Sequence, residues 1–411
     1  MNSITTVHGV KLLYLYNPSD ISFFGIATKN GTNYEPEGKE GVSHFCEHLF
    51  FKGTDKRTWK ELNYLFAQLG VYQNAYTDSN EVLYHVTCPS INIEKTVELL
   101  MDMFFFSSIP QEEFDKEKGV IIEEKNSIDD DPKSSFEYDV IKRFFSYDKG
   151  HHPIGTNKSI KGFQRQDVIN YLDSTINLSN FMYIYCGNKS LANITDYIHK
   201  SMPCQHRYFA SGPLNSISNE FWNPKPLNRK FIVKKNDISQ ASLNMVVRGP
   251  AYNTKDYRDA AVLCRALGGG MYSLLFSRIR EELGLCYNVG MSDSAISYPD
   301  HNAIYLYGST SPKNIDLFVE ESEKIIKDVM KNGIDYNLYN CAHTQCMAAI
   351  LRATETSMGK ALYLTRRHLY GEVCSVESMI EGFKNVTFKD CNDAAEKLFN
   401  TDYKWAILKP V

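Results

Sequence analysis

Within Gly41–Thr54 the chain reads GVSHFCEHLFFKGT, and two histidines and a glutamate stand there at spacings that suit a metal ion. On a helix, His44 and His48 lie one turn apart on the same face. Glu47 sits at i+3 from the first histidine and beside the second. Two imidazoles so placed can grip one cation, and a carboxylate beside them can hold or deprotonate a water on that cation. Cys46 lies inside the motif, two residues from each histidine. On a helix it points sideways from them, so it reads as a buried structural thiol and not as a ligand.

Two histidines leave a catalytic metal short of a third protein ligand. The candidates lie on a helix after Pro110, which carries Glu113, Glu117, Glu123 and Glu124. Glu117 and Glu124 are two turns apart and share a face, while Val120, Ile121 and Ile122 supply an apolar one. The same segment reads equally well as a solvated charged face paired with Lys116 and Lys118. Spacing alone does not choose between Glu123 and Glu124. His85, on a later strand, is a competing ligand that also reads as a structural histidine.

The elements that would position these groups follow from periodicity. Val10–Tyr16 and Ile21–Thr28 read as strands around the turn Asn17–Asp20, and Lys29–Gly41 as loop. After the motif helix comes a helix over about Thr58–Leu69, then strands Val71–Thr77 and Glu81–Thr87. Helices are expected over Asn92–Phe105, from Gln111 to about Asn126, and near Phe136–Phe145, with a polar stretch at Asp129–Ser134. Arg165–Ser174 and Leu191–His199 read as helices and Phe181–Cys186 as a strand between them.

The chain has 411 residues, too many for one ordinary core, so two domains are the expectation. A formal net charge of −4 without a long basic run argues against nucleic acid as the main partner. The longest apolar cluster, Leu99–Phe106, contains Asp102 and is too short to cross a bilayer. The first residues do not read as a secretory leader. The 10 cysteines show no C-x-x-C pair and read as free thiols of a reducing cytoplasm.

Several of these segments together resemble the pitrilysin-type, or M16, zinc peptidases, closest to the short bacterial and mitochondrial-processing-peptidase-like members. The order H-x-x-E-H is the inverted form of the H-E-x-x-H metallopeptidase motif. Gly41–Thr54 resembles the family's histidine–glutamate–histidine helix with its trailing Phe-Lys-Gly-Thr. Asn74-Ala75-Tyr76-Thr77 with Tyr84 resembles its edge strand, and Glu117–Glu124 its distal glutamate segment. His152–Thr156 resembles the stretch before the first domain's closing strand. In the family the distal ligand stands 76 residues after the second histidine, and here 124 − 48 = 76, so the resemblance selects Glu124 as ligand and Glu117 as the glutamate behind the site.

The resemblance also implies a fold and a partner half. The fold class is α+β, with two similar domains, each a mostly antiparallel sheet packed with helices, of the LuxS/MPP-like metallohydrolase kind. Residues 1–204 form the zinc-binding domain, 205–226 a polar, proline-containing linker, and 227–411 a second domain. The second half repeats the order of elements, but Tyr257–Gly268, the counterpart of the motif helix, has no H-x-x-E-H. The glycines 268–270 lack the lysine or pattern of a nucleotide loop. Arg280 reads on its own as a surface ion-pair partner. The resemblance instead gives Arg280 and Tyr287 the task of holding substrate backbone and stabilising the tetrahedral intermediate.

The expected activity is therefore that of a zinc-dependent endopeptidase with one zinc per chain held by His44, His48 and Glu124. Glu47 would activate the zinc-bound water, Glu117 would orient a ligand, and Asn74, Ala75 and Tyr76 would present strand edge to an extended peptide. A cytoplasmic homodimer or M16 heterodimer is expected, without nucleic-acid or membrane partners. The alternative is a non-catalytic or conditionally active subunit that binds peptide or supports a partner.

Overall fold

The computed structural model describes residues 2–145, 152–203, 206, 230–252, 254–297, 302–369, 371–372, 374–401 and 403–411. The expected linker lies almost wholly outside them. Packing divides the chain into two units. The first comprises Met1–Asp130, Ile141–Asn223 and Ala353–Ser375, the second Asp131–Val140, Pro224–Arg352 and Val376–Val411.

The first unit is built on six strands: β1 (Asn2–Val7), β2 (Val10–Tyr16), β3 (Ile21–Thr28), β4 (Tyr72–Thr77), β5 (Val82–Pro89) and β6 (Phe181–Gly187). Their order is β1-β2-β6-β3-β5-β4, antiparallel throughout except for β2 with β6. The register sets Asn74 opposite His85 and Gly25 opposite the same histidine. The strand β1 is absent from the sequence reading. Its Thr-rich pattern lacks apolar alternation, and the turn that folds it onto β2 depends on positive φ at His8 (50°) and Gly9 (80°).

Around the sheet lie α1 (Val42–Phe50), α2 (Trp59–Gln68), α3 (Ile93–Phe106), α4 (Gln111–Asp130), α6 (Asn157–Gly162), α7 (Arg165–Thr175) and α8 (Leu191–Ser201), while most of α5 (Pro132–Phe144) belongs to the second unit. The polar stretch expected at Asp129–Ser134 is mostly helical. The Lys125–Asp129 pair at 2.7 Å supports the last turn of α4. Asp131 then caps α5 by accepting the Ser134 N–H at 2.8 Å, with Pro132 at the first helical position.

One face of the sheet, with Leu12, Tyr14, Phe24, Ile26, Tyr84 and Tyr183, forms a continuous core with α1, α3, α7 and α8. Each fully buried large side chain there contributes about 2 kcal/mol of apolar transfer. The alternate residues Leu13, Leu15, Ile184 and Cys186 face the other way and are also buried.

The second unit carries β7 (Lys230–Lys235), β8 (Ala241–Gly249), β9 (Cys286–Ser297), β10 (Asn302–Thr310) and β11 (Lys404–Pro410), in the order β7-β11-β8-β10-β9. Only β7 with β11 is parallel. Helices α9 (Lys255–Gly268), α10 (Ile315–Asn332), α11 (Tyr336–Ala353), α12 (Ser357–Leu369), α13 (Val376–Lys384) and α14 (Phe388–Phe399) complete the chain. Within this unit α9 packs on β9 and α14. Phe276–Glu282 forms a wide π-helix.

Of these helices α12 lies in the first unit and covers the second face of its sheet, against β6, β3 and β2. Ser357 anchors its start, donating to Ile21 O at 2.8 Å and standing 3.0 Å from Asn17 Nδ2. Both units are thus mixed, mainly antiparallel sheets packed with helices, as the α+β expectation has it.

Candidate active site

Helix α1 starts from a constrained point. Gly41 has φ 91° and no room for a side chain, since a Cβ there would meet Ile154 O at 2.1 Å. The helix N-terminus is capped from a distance by Glu35, whose carboxylate accepts the N–H groups of Gly41 and Ser43, each at 2.8 Å. A negative group at that end complements the helix dipole. Val42, Phe45, Cys46, Leu49 and Phe50 turn inward, which leaves His44, Glu47 and His48 on the opposite face.

Against that face α4 sets Glu117 and Glu124. Glu124 lies 3.7 Å from His44 Nε2 and 3.4 Å from His48 Nε2. The donor atoms of His44, His48 and Glu124 all fall within 4.8 Å of one another, the one such group of three among the described residues. Behind them the buried Glu117 accepts from His48 Nδ1 at 2.9 Å and from Lys52 Nζ at 2.6 Å.

The electrostatics follow from this packing. Burial depresses the His44 pKa to about 4, helped by the neighbouring His48, so His44 is a neutral donor. At His48 burial also acts downward, but the hydrogen bonds to Glu117 and Glu124 outweigh it and lift the pKa to about 9. In the metal-free chain a proton therefore sits where both carboxylates demand positive charge. A cation held by Nε2 would take its place. Two imidazole nitrogens and one carboxylate are the kind of donor set that a catalytic zinc takes, and Glu117 behind His48 would orient one of those donors, so the residues fit that ion.

Glu47 is held by a residue the sequence reading quotes without a role. Thr77 donates its hydroxyl to Glu47 Oε2 at 2.6 Å. Burial pushes the Glu47 carboxyl above its ordinary range, and the Thr77 hydrogen bond pulls the other way. The signal for Thr77 was its place in the Asn74–Thr77 segment, at the parity that turns it away from Tyr76.

Asn74, Ala75 and Tyr76 lie on β4, the last strand of the sheet, with β5 on one side and no strand on the other among the described residues. Asn74 folds back, accepting the Ala75 N–H at 2.9 Å and reaching Tyr72 Oη at 3.0 Å. His85 is outside the metal group. It is buried, lies 5.4 Å from the Phe23 ring, and is lowered to about 4 by burial. Glu123 is exposed and Cys46 is buried in the core. A further histidine, His152, is close enough to feel Glu124 and His44, though burial and Lys125 dominate its depression to about 4. Arg280 and Tyr287 lie in the second unit, the guanidinium 4.8 Å from the Tyr287 ring centre and 4.5 Å from that of Phe276. Tyr287 is 81% exposed there.

Residues 11–156 match the family model described as Insulinase (Peptidase family M16), and residues 162–342 the model described as Peptidase M16 inactive domain. An uncharacterized zinc protease of Rickettsia felis is 29% identical over 94% of this chain and 91% of its own length. Another, of Bacillus subtilis, is 26% identical over 99% and 97%. In fold the chain is similar to a protease from Helicobacter pylori, with a TM-score of 0.90, 18% identity, and 100% and 99% of the two chains covered. A putative M16-like peptidase from Alicyclobacillus acidocaldarius gives 0.86 at 18% identity, covering 100% and 98%.

Proposed function

Because the chain belongs to peptidase family M16, we propose that it is a zinc-dependent endopeptidase that cuts extended peptides. The observation that carries this reading is the convergence of His44, His48 and Glu124 beside a glutamate held by Thr77. His44, His48 and Glu124 would hold one zinc. When bound, that ion supplies Lewis acidity, which lowers the pKa of a coordinated water and polarises a carbonyl.

The chain's own residues supply the rest. Glu47 takes a proton from the attacking water as its oxygen bonds to the peptide carbonyl carbon. It then passes that proton to the amide nitrogen as the C–N bond breaks, leaving an acid and an amine. A carboxyl whose pKa is raised by burial suits both transfers, since each needs a group able to hold and release the proton. Glu117 keeps the His48 ring oriented. Substrate would add to the free side of β4 by backbone hydrogen bonds, with Asn74, Ala75 and Tyr76 beside it. Arg280 and Tyr287 would donate to the substrate backbone and its developing oxyanion. No helix among the described residues is long and apolar enough to cross a membrane. We place the enzyme in the cytoplasm, working as a dimer, with sequence domains at 1–204 and 227–411 joined by 205–226, which exchange two segments in packing: Ala353–Ser375 joins the first unit and Asp131–Val140 the second.

Glu47→Gln tests the assignment. Zinc content should stay at the wild-type value while hydrolysis of a peptide library falls by about 100-fold or more. Hydrolysis at the wild-type rate overturns it. If the wild-type chain alone is inactive and a partner chain restores cleavage, the alternative of a conditionally active subunit takes its place.

A further inference from the structure

The base Glu47 is fixed through Thr77, and Thr77 is the last residue of an edge strand. An edge strand end is ordinarily the loosest part of a sheet. Here the turn that follows is gripped from two sides. On one side the loop after β3 lies against it. Thr32 N–H donates to Asp78 O at 3.1 Å and Asn33 N–H to Ser79 O at 2.8 Å. Gly31 allows that approach, since a Cβ would fall 2.3 Å from Asp78 O.

On the other side stands Arg366 of α12, 288 residues away in sequence. Its Nη2 pairs with Asp78 Oδ2, and its Nε lies 3.4 Å from Glu81 Oε1. The same oxygen accepts the Tyr76 hydroxyl at 2.9 Å. Glu81 is buried, and its Oε2 has no partner among the described residues. Tyr76 and Thr77 point to opposite faces of β4. The guanidinium thus holds one face of the strand end and its turn, and Thr77 on the other face holds the base. A planar fork that bridges two carboxylates fixes orientation as well as charge, which a lysine does not do.

We propose that Arg366 is a positioning residue for catalysis, acting through the Asp78–Glu81 turn and Thr77 on the Glu47 carboxylate. A helix from the last quarter of the sequence would then complete the alignment of the general base. This rests on the peptidase reading above.

The test uses the full zinc-loaded chain and a quenched peptide selected from a random library by wild-type cleavage. Arg366→Met should lower kcat about ten-fold with zinc content unchanged and KM altered less than about two-fold. Arg366→Lys should recover part of the loss, because it keeps the charge and loses the fork. Placed on Thr77→Val, Arg366→Met should cost less than about two-fold further, since the two substitutions break one connection.

A second readout needs no turnover. In the chelator-treated chain, amide hydrogen exchange across 77–81 should be about ten-fold faster in Arg366→Met or Arg366→Lys than in wild type. Unchanged kcat, unchanged exchange, or multiplying effects of Arg366→Met and Thr77→Val overturn the proposal. If Arg366→Met does not fold, Arg366→Lys decides by the same measures. Glu47→Gln separates the two ideas: wild-type hydrolysis in that variant sinks the peptidase reading, whereas its loss beside a fully active Arg366→Met sinks only this one.

Discussion

Glu117 stands behind His48 with Oε1 2.9 Å from Nδ1, and its other oxygen takes the Lys52 ammonium at 2.6 Å. Burial works against its charge, but these two hydrogen bonds win and hold its pKa below the ordinary carboxylate range. An ionised acceptor at Nδ1 fixes the ring and leaves Nε2 for a cation. Glu117→Gln keeps the shape and removes the charge. Zinc affinity should fall by about 10- to 100-fold, read by competition with a chromogenic chelator. An unchanged affinity would mean that Glu117 only pairs with Lys52.

Removing the metal should be felt by the fold as well as by activity. Without a cation, the link from α1 to α4 falls back on the single proton of His48 facing Glu124, and the second charge of a divalent ion is missing. Zinc at 100 times its dissociation constant should stabilise the chain by about 2.7 kcal/mol. Thermal melts with chelator and with restored zinc measure this. The shift should vanish in Glu124→Ala, and a shift that survives there would place the ion elsewhere.

Gly41 and Gly155 cross with their backbones in contact. Both have positive φ, and a Cβ on Gly155 would lie 2.0 Å from Glu40 O. Gly38 also has positive φ, 80°, but nothing lies within 4 Å of its Cβ position. Gly38→Ala should therefore cost only the conformational penalty of about 1 kcal/mol. Gly41→Ala adds a backbone clash and should cost about 3 kcal/mol or more, or prevent folding. Urea unfolding of the two variants gives the comparison, and equal costs would remove the case for a tight crossing.

What could be read from the sequence follows the range of the interactions. His44, Glu47 and His48 are legible because helical spacing alone puts them on one face. Glu124 is not, since periodicity gives Glu117 and Glu124 a common face without saying what that face meets; the family resemblance selects it. The Thr77–Glu47 contact joins a strand to a helix 30 residues earlier, and no local pattern encodes such a meeting. The placement of α12 is hidden for the same reason. Its apolar face announces that it covers something, and only Ser357, Lys360 and Arg366, bonded to β2, β3 and the turn after β4, say which sheet. The strand β1 escaped because an edge strand rich in threonine shows little apolar alternation.

Glu81 provides a pH test of the clamp. Burial pushes its carboxyl from the usual 4.5 up to about 7, with the Tyr76 hydrogen bond pulling the other way. A folded-state pKa above the unfolded value means that the native chain binds the extra proton. The resulting stability is present in full below the unfolded value and is lost as pH rises through the folded one. Glu81→Gln cannot lose that proton and still accepts from Tyr76. The wild-type melting temperature should therefore fall relative to Glu81→Gln between about pH 4.5 and 7, and the gap should stay level above that range. A gap that does not move with pH would show that Arg366 keeps Glu81 ionised throughout. The clamp would then be a permanent ion pair, with no proton shared between its carboxyl and the solvent.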